Sequence, residues 1–291
     1  MIVSASYRTD IPAFYGPWFR QRLSEGYCMV PNPYGGRDYR VDLTPAGVDG
    51  FVFWTRNPAP FDAALDDVRR MERPFVVQMT ITGYPRPLDR SVIAPDRAIA
   101  LVRDLSDRFG RRAVVWRYDP VLISDLTPPT FHIDTVDRLA SALAGSVDEV
   151  VLSMATIYKK TRTNLDRRAH LDGFAWRDPD LTEKQDLLAR LGGIAALHGM
   201  TPTVCSQSDL VTGTLKSARC IDAVRLSDLA GRPLKAPVAG NRPGCLCARS
   251  RDIGVYDTCP HGCVYCYAVR NRDKAQANHA AHAPGAPSLR P

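Results

Sequence analysis

The run Phe51-Val-Phe-Trp-Thr-Arg-Asn-Pro58, with Phe61, Ala64, Leu65 and Val68 behind it, decides how this chain is built. Five β-branched and aromatic residues in a row, without polar alternation, make a strand buried on both faces, as in parallel sheets. The strand stops at the turn cluster Arg56-Asn57-Pro58, and the next apolar positions fall on one face of a helix.

The same strand-then-helix unit recurs in both directions. Upstream, Ile2-Val-Ser-Ala-Ser6 leads through Arg8-Thr-Asp10 to a helix near Pro17 to Leu23. Residues 31–47, rich in Pro, Gly and Tyr, read as a long loop and a piece of pocket wall. Downstream, Phe75-Val-Val-Gln-Met-Thr-Ile-Thr82 precedes a helix carrying Ile99, Val102, Leu105 and Phe109 at helical spacing. Ala113-Val-Val-Trp-Arg117, ending in Tyr118-Asp119-Pro120, precedes a helix from about Thr135 to Leu143. Glu149-Val-Val-Leu-Ser153 runs into the basic stretch Tyr158-Lys-Lys-Thr-Arg162. The next helix has a capping box in Thr182 and Gln185, an apolar stripe in Leu187, Leu188, Leu191 and Ile194, and an end at His198-Gly199. Thr201-Pro-Thr-Val-Cys205 is the sixth strand. Six such units predict an α/β fold with a parallel sheet whose ligands bind at the carboxyl ends of the strands.

Polar residues gather at those ends: Arg8, Thr9 and Asp10, then Thr55, Arg56 and Asn57, Gln78, Arg117 with Asp119, Ser153 and Ser206. Each cluster alone reads as turn chemistry. Their recurrence makes Arg56, Arg117, Asp10 and Asp119 the leading candidates to line one pocket.

At 291 residues, 45% apolar and 24% charged, the chain has an ordinary globular composition with enough apolar residues for a sizeable core. No apolar run reaches membrane-spanning length and the start lacks the pattern of a signal peptide, so no membrane association and a cytoplasmic location are expected. Thiols stay reduced there, and the eight cysteines read as metal-binding or catalytic before they read as disulfides. The net charge of +7 (38 basic minus 31 acidic) is compatible with a phosphate-bearing or nucleic-acid substrate.

Three cysteines fall in Tyr256-Asp-Thr-Cys259-Pro-His-Gly-Cys263-Val-Tyr265-Cys266-Tyr267, spaced C-x3-C-x2-C. Three thiolates this close suit three irons of a four-iron cluster with the fourth left open; zinc would need a fourth ligand, for which His261 is a candidate. This pattern, with an aromatic residue before the third cysteine, resembles the cluster loop of radical S-adenosylmethionine enzymes. The resemblance implies a 4Fe-4S cluster on Cys259, Cys263 and Cys266, with S-adenosylmethionine chelated at the open iron. It further implies Tyr265 near the adenine, a reductant such as a flavodoxin or ferredoxin, and a partial six-stranded TIM-like barrel. The motif normally lies near the N-terminus, whereas here about 250 residues precede it. In that respect the chain is similar to the domain-of-unknown-function family "eighteen forty-eight". The likeness runs from Ser4 to about Ala268, through Phe53-Trp-Thr-Arg-Asn-Pro58, Trp116-Arg-Tyr-Asp-Pro120 and Arg251-Asp-Ile-Gly254.

Cys205, Cys220, Cys245 and Cys247 form a second set, suited to a second 4Fe-4S cluster or a zinc if folding brings them together. Cys28 stands apart and reads as a structural thiol. The expected organisation is a partial (β/α)6 barrel over residues 1–240, a cysteine-rich iron–sulfur segment over 241–274 packed on the barrel mouth, and a disordered tail over 275–291, whose His279 and His282 are minor candidates for metal. The rival readings are a zinc- or iron–sulfur-stabilised nucleic-acid-binding protein without radical chemistry, gripping phosphates with Lys159, Lys160, Arg162, Arg167 and Arg168, and an electron-transfer iron–sulfur protein. No Walker loop, G-x-G-x-x-G fingerprint or G-x-S-x-G elbow supports a kinase, dinucleotide or hydrolase reading.

Overall fold

The computed structural model describes residues 1–32 and 35–290. The strands are β1 (Ile2–Ala5), β2 (Tyr27–Val30), β3 (Tyr39–Asp42), β4 (Gly50–Thr55), β5 (Phe75–Thr80), β6 (Val114–Val121), β7 (Ile123–Ser124), β8 (Glu149–Met154), β9 (Trp176–Arg177), β10 (Thr201–Val204), β11 (Lys216–Ser217) and β12 (Ser250–Asp252). The helices are α1 (Ile11–Phe14), α2 (Gly16–Glu25), α3 (Asp62–Arg70), α4 (Pro95–Phe109), α5 (Pro129–Leu143), α6 (Lys159–Asp172), α7 (Leu181–Leu197), α8 (Ala223–Ala230) and α9 (Arg272–Ala281).

Eight strands form one parallel sheet in the order β11-β10-β8-β6-β5-β4-β1-β12. From β1 to β11 every new strand joins the same edge, and the chain then returns to lay β12 beside β1. Among the described residues the sheet is open, with β11 and β12 as its edges, and no closed barrel forms. All six strands expected from the sequence are in it. The two extra ones explain why six units give eight strands: β11 and β12 are short and polar, and only pairing with β10 and β1 makes them strands. β12 belongs to the cysteine-rich segment, so that segment is part of the sheet as well as a cover for it.

Alternation along the strands sorts their side chains to two faces. Val3, Phe51, Phe53, Val77, Trp116 and Leu152 belong to the large core shared with α2 to α5 and α7. Ile2, Val52, Val76, Val115 and Val151 face a smaller core made with α8 and with Cys205, Cys220 and Cys247. Farther along that second face, toward the carboxyl ends, the same alternation brings Trp54, Gln78, Arg117, Ser153 and Cys205. A polar layer therefore lies directly above an apolar one.

Three local expectations are corrected. Within the stretch 31–47, β3 pairs antiparallel with β2, and positions 33 and 34 lie outside the described residues. The cap of α7 is Asp180, whose carboxylate accepts from the Glu183 backbone N–H at 2.9 Å; Thr182 lies inside the helix. The segment read as a disordered tail forms α9, capped by Asn271, and continues along the core. Trp18 Nε1 donates to the Ala286 carbonyl at 2.9 Å, the Met29 N–H donates to Pro287 at 2.8 Å, and Leu289 is buried. The tail is held by these hydrogen bonds from α2 and β2 together with the packing of Leu289 in the large core. Among the described residues, no helix is long and apolar enough to cross a membrane.

Candidate functional site

The loop bearing Cys259, Cys263 and Cys266 is clasped by the segments that leave the carboxyl ends of the strands. After β1, Tyr15 Oη donates to the Thr258 carbonyl at 2.7 Å, and Tyr267 Oη donates to the Tyr7 carbonyl at 2.5 Å. After β5, the loop 85–91 runs beside it: Val264 N–H bonds to Leu88 O at 3.0 Å, and Ser91 N–H bonds to His261 O at 2.9 Å. Asn164 of α6 and Asn278 of α9 donate to the Val269 and Asp257 carbonyls. Gly262 sits at φ +76°, and a Cβ there would meet Arg272 Nε at 2.5 Å, so the turn between the first two cysteines takes glycine.

The centre of the clasp is Arg56, directly after β4. Its Nη1 donates to Asp89 Oδ2 at 2.8 Å and its Nη2 to Tyr265 Oη at 2.5 Å, while Tyr265 Oη donates to Asp89 Oδ1 at 2.6 Å. Thr82 Oγ1 also donates to Asp89, at 2.9 Å. Burial pulls the Arg56 guanidinium down, but the opposing charges of Asp89, Cys263 and Tyr265 outweigh it and leave it well above its ordinary range. Tyr265 packs edge-on against Tyr84, and burial pushes its phenol far up.

Asp10 is equally occupied. Its Oδ1 caps α1 through the Ala13 N–H at 2.9 Å, and Oδ2 accepts from the Arg56 N–H at 2.8 Å and lies 2.7 Å from His261 Nε2. His261 Nδ1 faces the Ser91 carbonyl. Both ring nitrogens thus have partners other than the thiols, and His261 is not placed as a fourth ligand. The expected pocket residues Arg56, Asp10 and Tyr265 are brought together with the cysteine loop, but as its anchors.

Burial raises all three loop thiols. Cys259 goes up to about 12, helped by the negative charge of Asp10. Cys263 goes well up despite Arg56, and Cys266 rises although the Ala268 N–H points at its Sγ from 3.3 Å. Cys263 feels the charge of both other cysteines. A cavity of about 150 Å³ opens beside Arg56, lined by Thr82, Tyr84, Arg86 and Asp89; it is smaller than the roughly 300–1,000 Å³ of ordinary small-molecule sites.

Arg117 and Asp119 lie deeper on the same face of the sheet. Arg117 stacks 4.8 Å from the Trp54 ring, donates to Gln78 Oε1 and Asp119, and points Nη1 at Cys220 Sγ from 3.0 Å. Ser153 donates to the other Asp119 oxygen. Cys220 Sγ lies 3.5 Å from Cys205 Sγ. Cys247 stands next in the series, within side-chain interaction range of both Cys220 and Cys245. The four cysteines of the second set are therefore in one place, as a chain of thiols. The Cys220 bond and burial lift Cys205, while the interaction with Cys247 draws Cys245 down to about 5. Among the described residues, no three His, Cys, Asp or Glu side chains converge closely enough to share a single metal ion. Cys28 is buried in the large core, where burial pushes it up to about 12.

Sequence reasoning missed Asp89, Asp252 and Arg242. Asp252 of β12 takes Ser4 and Ser6 hydroxyls at 2.9 and 2.7 Å and pairs with Arg8. It lies in the stretch Arg251-Asp-Ile-Gly254, and that resemblance was the available signal. Asp89 lies in a Pro-rich loop with no motif around it. The basic stretch is helix α6, and Lys160 stands 5.1 Å from the Tyr256 ring at the edge of the cysteine loop.

A family model described as a domain of unknown function (DUF1848) matches residues 2–268, and the chain belongs to that family. No curated protein matches it.

Proposed function

We propose that this member of the DUF1848 family is an iron–sulfur enzyme of the radical S-adenosylmethionine type, built on a partial six-unit barrel with two added edge strands. The observation that carries the reading is where the C-x3-C-x2-C loop lies. It docks through Tyr265 onto Arg56, at the carboxyl ends of parallel strands, where such sheets hold ligands.

The donor set fits the group. Cys259, Cys263 and Cys266 supply three thiols and His261 is turned to Asp10, so among the described residues no fourth protein ligand is in place. A cluster takes its thiolates on separate irons, so it does not require them to meet at one point as zinc does. When bound, a cluster with S-adenosylmethionine and an external one-electron donor such as a flavodoxin or ferredoxin supplies a 5′-deoxyadenosyl radical.

The chain's own residues then have definite tasks. Arg56, Asp89 and Tyr265 hold the loop, and Arg56 beside Cys263 puts a fixed cation against the thiolates. Asp10 positions His261 and the start of α1. Tyr84 and Tyr265 wall the site from water. Arg117 and Asp119, on the second face of the sheet, are the candidates left to meet a cosubstrate or substrate; they do not line the 150 Å³ cavity beside Arg56, which is itself too small for either.

The test is anaerobic reconstitution of the full chain with iron and sulfide, followed by assay of 5′-deoxyadenosine. The wild type releases it under reduction, and Cys263→Ala does not. Release by Cys263→Ala at the wild-type rate overturns the assignment.

A second reading, a metal-stabilised nucleic-acid-binding protein without radical chemistry, is favoured by Lys160 and α6 standing at the rim of the cysteine loop. It requires binding of DNA or RNA that weakens steeply with salt, with no 5′-deoxyadenosine formed.

A further inference from the structure

Outside the C-x3-C-x2-C loop, the second face of the sheet gathers four thiols from three separate parts of the chain. Cys205 follows β10, Cys220 precedes α8, and Cys245 and Cys247 sit on a tight turn. That turn is purpose-built: Ala239 N–H bonds to Cys247 O at 2.9 Å, Arg249 N–H to Pro237 O at 2.8 Å, and Cys245 N–H to Arg242 O at 3.1 Å. A Cβ on Gly240 would stand 2.2 Å from the Cys245 carbonyl oxygen, so only glycine lets the two limbs close.

Buried cysteines often pack as small apolar residues, and these do adjoin Val151, Leu226 and Ile221. Packing alone does not explain what points at their sulfurs. Arg117 Nη1 lies 3.0 Å from Cys220 Sγ, Arg242 Nη2 lies 3.4 Å from Cys205 Sγ, and the Ile221 N–H lies 3.4 Å from Cys247 Sγ. A neutral thiol is a weak acceptor, and a guanidinium withdrawn from water calls for an anion. Arg117 is such a buried guanidinium and reaches Cys220 as well as Asp119, while Arg242 is an exposed residue that touches Cys205 and Tyr158 from the solvent side. Cations and N–H donors aimed at clustered sulfurs are the surroundings of metal-bound thiolates, whose charge they offset.

We propose that Cys205, Cys220, Cys245 and Cys247 form a second metal centre, a tetrathiolate site with Arg117 and Arg242 as its compensating cations, occupied by zinc or by an iron–sulfur cluster. Either occupant leaves a net negative charge on four thiolates, and binding releases the thiol protons. The Cys205 to Cys220 separation of 3.5 Å is close to the edge of a zinc–thiolate tetrahedron, about 3.8 Å for bonds near 2.3 Å. Since no three of these side chains converge on one point among the described residues, occupancy requires the remaining thiols to rotate from a chain into a shell. The centre is independent of the first loop in its ligands. It lies near that loop, because Tyr267, next in sequence to Cys266, is within electrostatic reach of Arg242.

The experiment removes the first site to expose the second. Full-length Cys259→Ala/Cys263→Ala/Cys266→Ala protein is prepared anaerobically, offered zinc or iron with sulfide, and desalted. Iron, acid-labile sulfide and zinc are then counted per chain. The expected result is one occupied centre per chain: about one zinc, or about four irons with matching sulfide. Adding Cys245→Ser/Cys247→Ser should cut that at least tenfold while circular dichroism stays that of a folded chain. In case the multiple variant unfolds, Arg242→Gln keeps every ligand and should weaken metal retention against a chelator by about 10–100-fold. A folded triple variant that retains under a tenth of a metal equivalent overturns the proposal. So does metal content unchanged by loss of Cys245 and Cys247, or chelator resistance unchanged in Arg242→Gln. None of these outcomes depends on formation of 5′-deoxyadenosine.

Discussion

Arg56 Nη2 lies 2.5 Å from the phenolic oxygen of Tyr265, although 209 residues separate them. Asp89 accepts from both, so three residues from three parts of the chain fix the C-terminal loop to the end of β4. All three are almost wholly out of water. Removing one member of a buried ion pair strands the other, at a cost of about 3–5 kcal/mol. Arg56→Met should therefore lower the urea-unfolding free energy by that amount. Tyr265→Phe, which removes one hydroxyl, should cost about 1 kcal/mol. Adding Asp89→Leu to Arg56→Met should restore much of the loss, because no charge is then left unpaired. If the double variant is as unstable as the sum of the single ones, the two residues are not coupled as described.

Gly254 joins β12 to the cysteine loop at a point with no room for a side chain. A Cβ there would stand 2.0 Å from Ser6 Oγ and 2.6 Å from Ser6 Cβ. Ser6 cannot retreat without releasing Asp252, to which its hydroxyl donates at 2.7 Å. Gly254→Ala should cost about 1–3 kcal/mol, the usual range for overpacking, and show as a lower thermal midpoint. Combining it with Ser6→Gly removes the clash and should recover the packing part of the loss, leaving only that of the Asp252 bond. A Gly254→Ala melt equal to wild type would mean that the β1–β12 edge yields.

The six long strands were legible because runs such as Val114-Val115-Trp116 and Val150-Val151-Leu152 are apolar at successive positions, which a strand covered on both faces requires. The polar positions at their ends were legible too, since Arg56, Gln78 and Arg117 interrupt otherwise apolar runs. The grouping of Cys205, Cys220, Cys245 and Cys247 was legible in the close pair Cys245 and Cys247 and in a strand that ends at Cys205. Partners set by long-range contact were not legible. Asp89 is one acidic residue among many until Tyr265, 176 residues on, arrives beside it. β12 is Ser-Arg-Asp, and nothing local makes that a strand; its pairing with β1 and the bonds to Asp252 do. α9 was hidden by its weak apolar pattern, although Asn271 with Asp273 was a readable start, the Asn271 side chain accepting from the Asp273 and Lys274 N–H groups.

The ordered tail carries its own test. Leu289 is 1% exposed and belongs to the large core. Leu289→Ala should cost about 2–5 kcal/mol, as other buried leucine truncations do, and proteolysis should reach the tail sooner than in the wild type. Unchanged stability and a tail cut at once in the wild type would return these residues to the unstructured state that their composition suggests.

His132 sets a pH dependence of its own. It is fully buried on α5, with Nδ1 2.8 Å from the Tyr118 hydroxyl and Nε2 3.0 Å from the Leu122 carbonyl oxygen. The carbonyl can only accept, so Nε2 carries the proton and Nδ1 accepts from Tyr118. Burial pushes the imidazolium down from its ordinary 6.5 to about 4, against the pull of the Leu122 carbonyl. Between those values the unfolded chain binds a proton that the folded one refuses, so stability is whole above pH 6.5 and falls as pH drops toward 4. The loss from this one group is about 3 kcal/mol by pH 4, since each unit of displacement is worth roughly 1.4 kcal/mol. In His132→Gln that share of the acid sensitivity should vanish, even if the variant is less stable at pH 7. The check is urea unfolding of both proteins at pH 7 and pH 4.5. Parallel losses in the two would show that His132 titrates alike folded and unfolded, and that its burial does not set the acid limit of this fold.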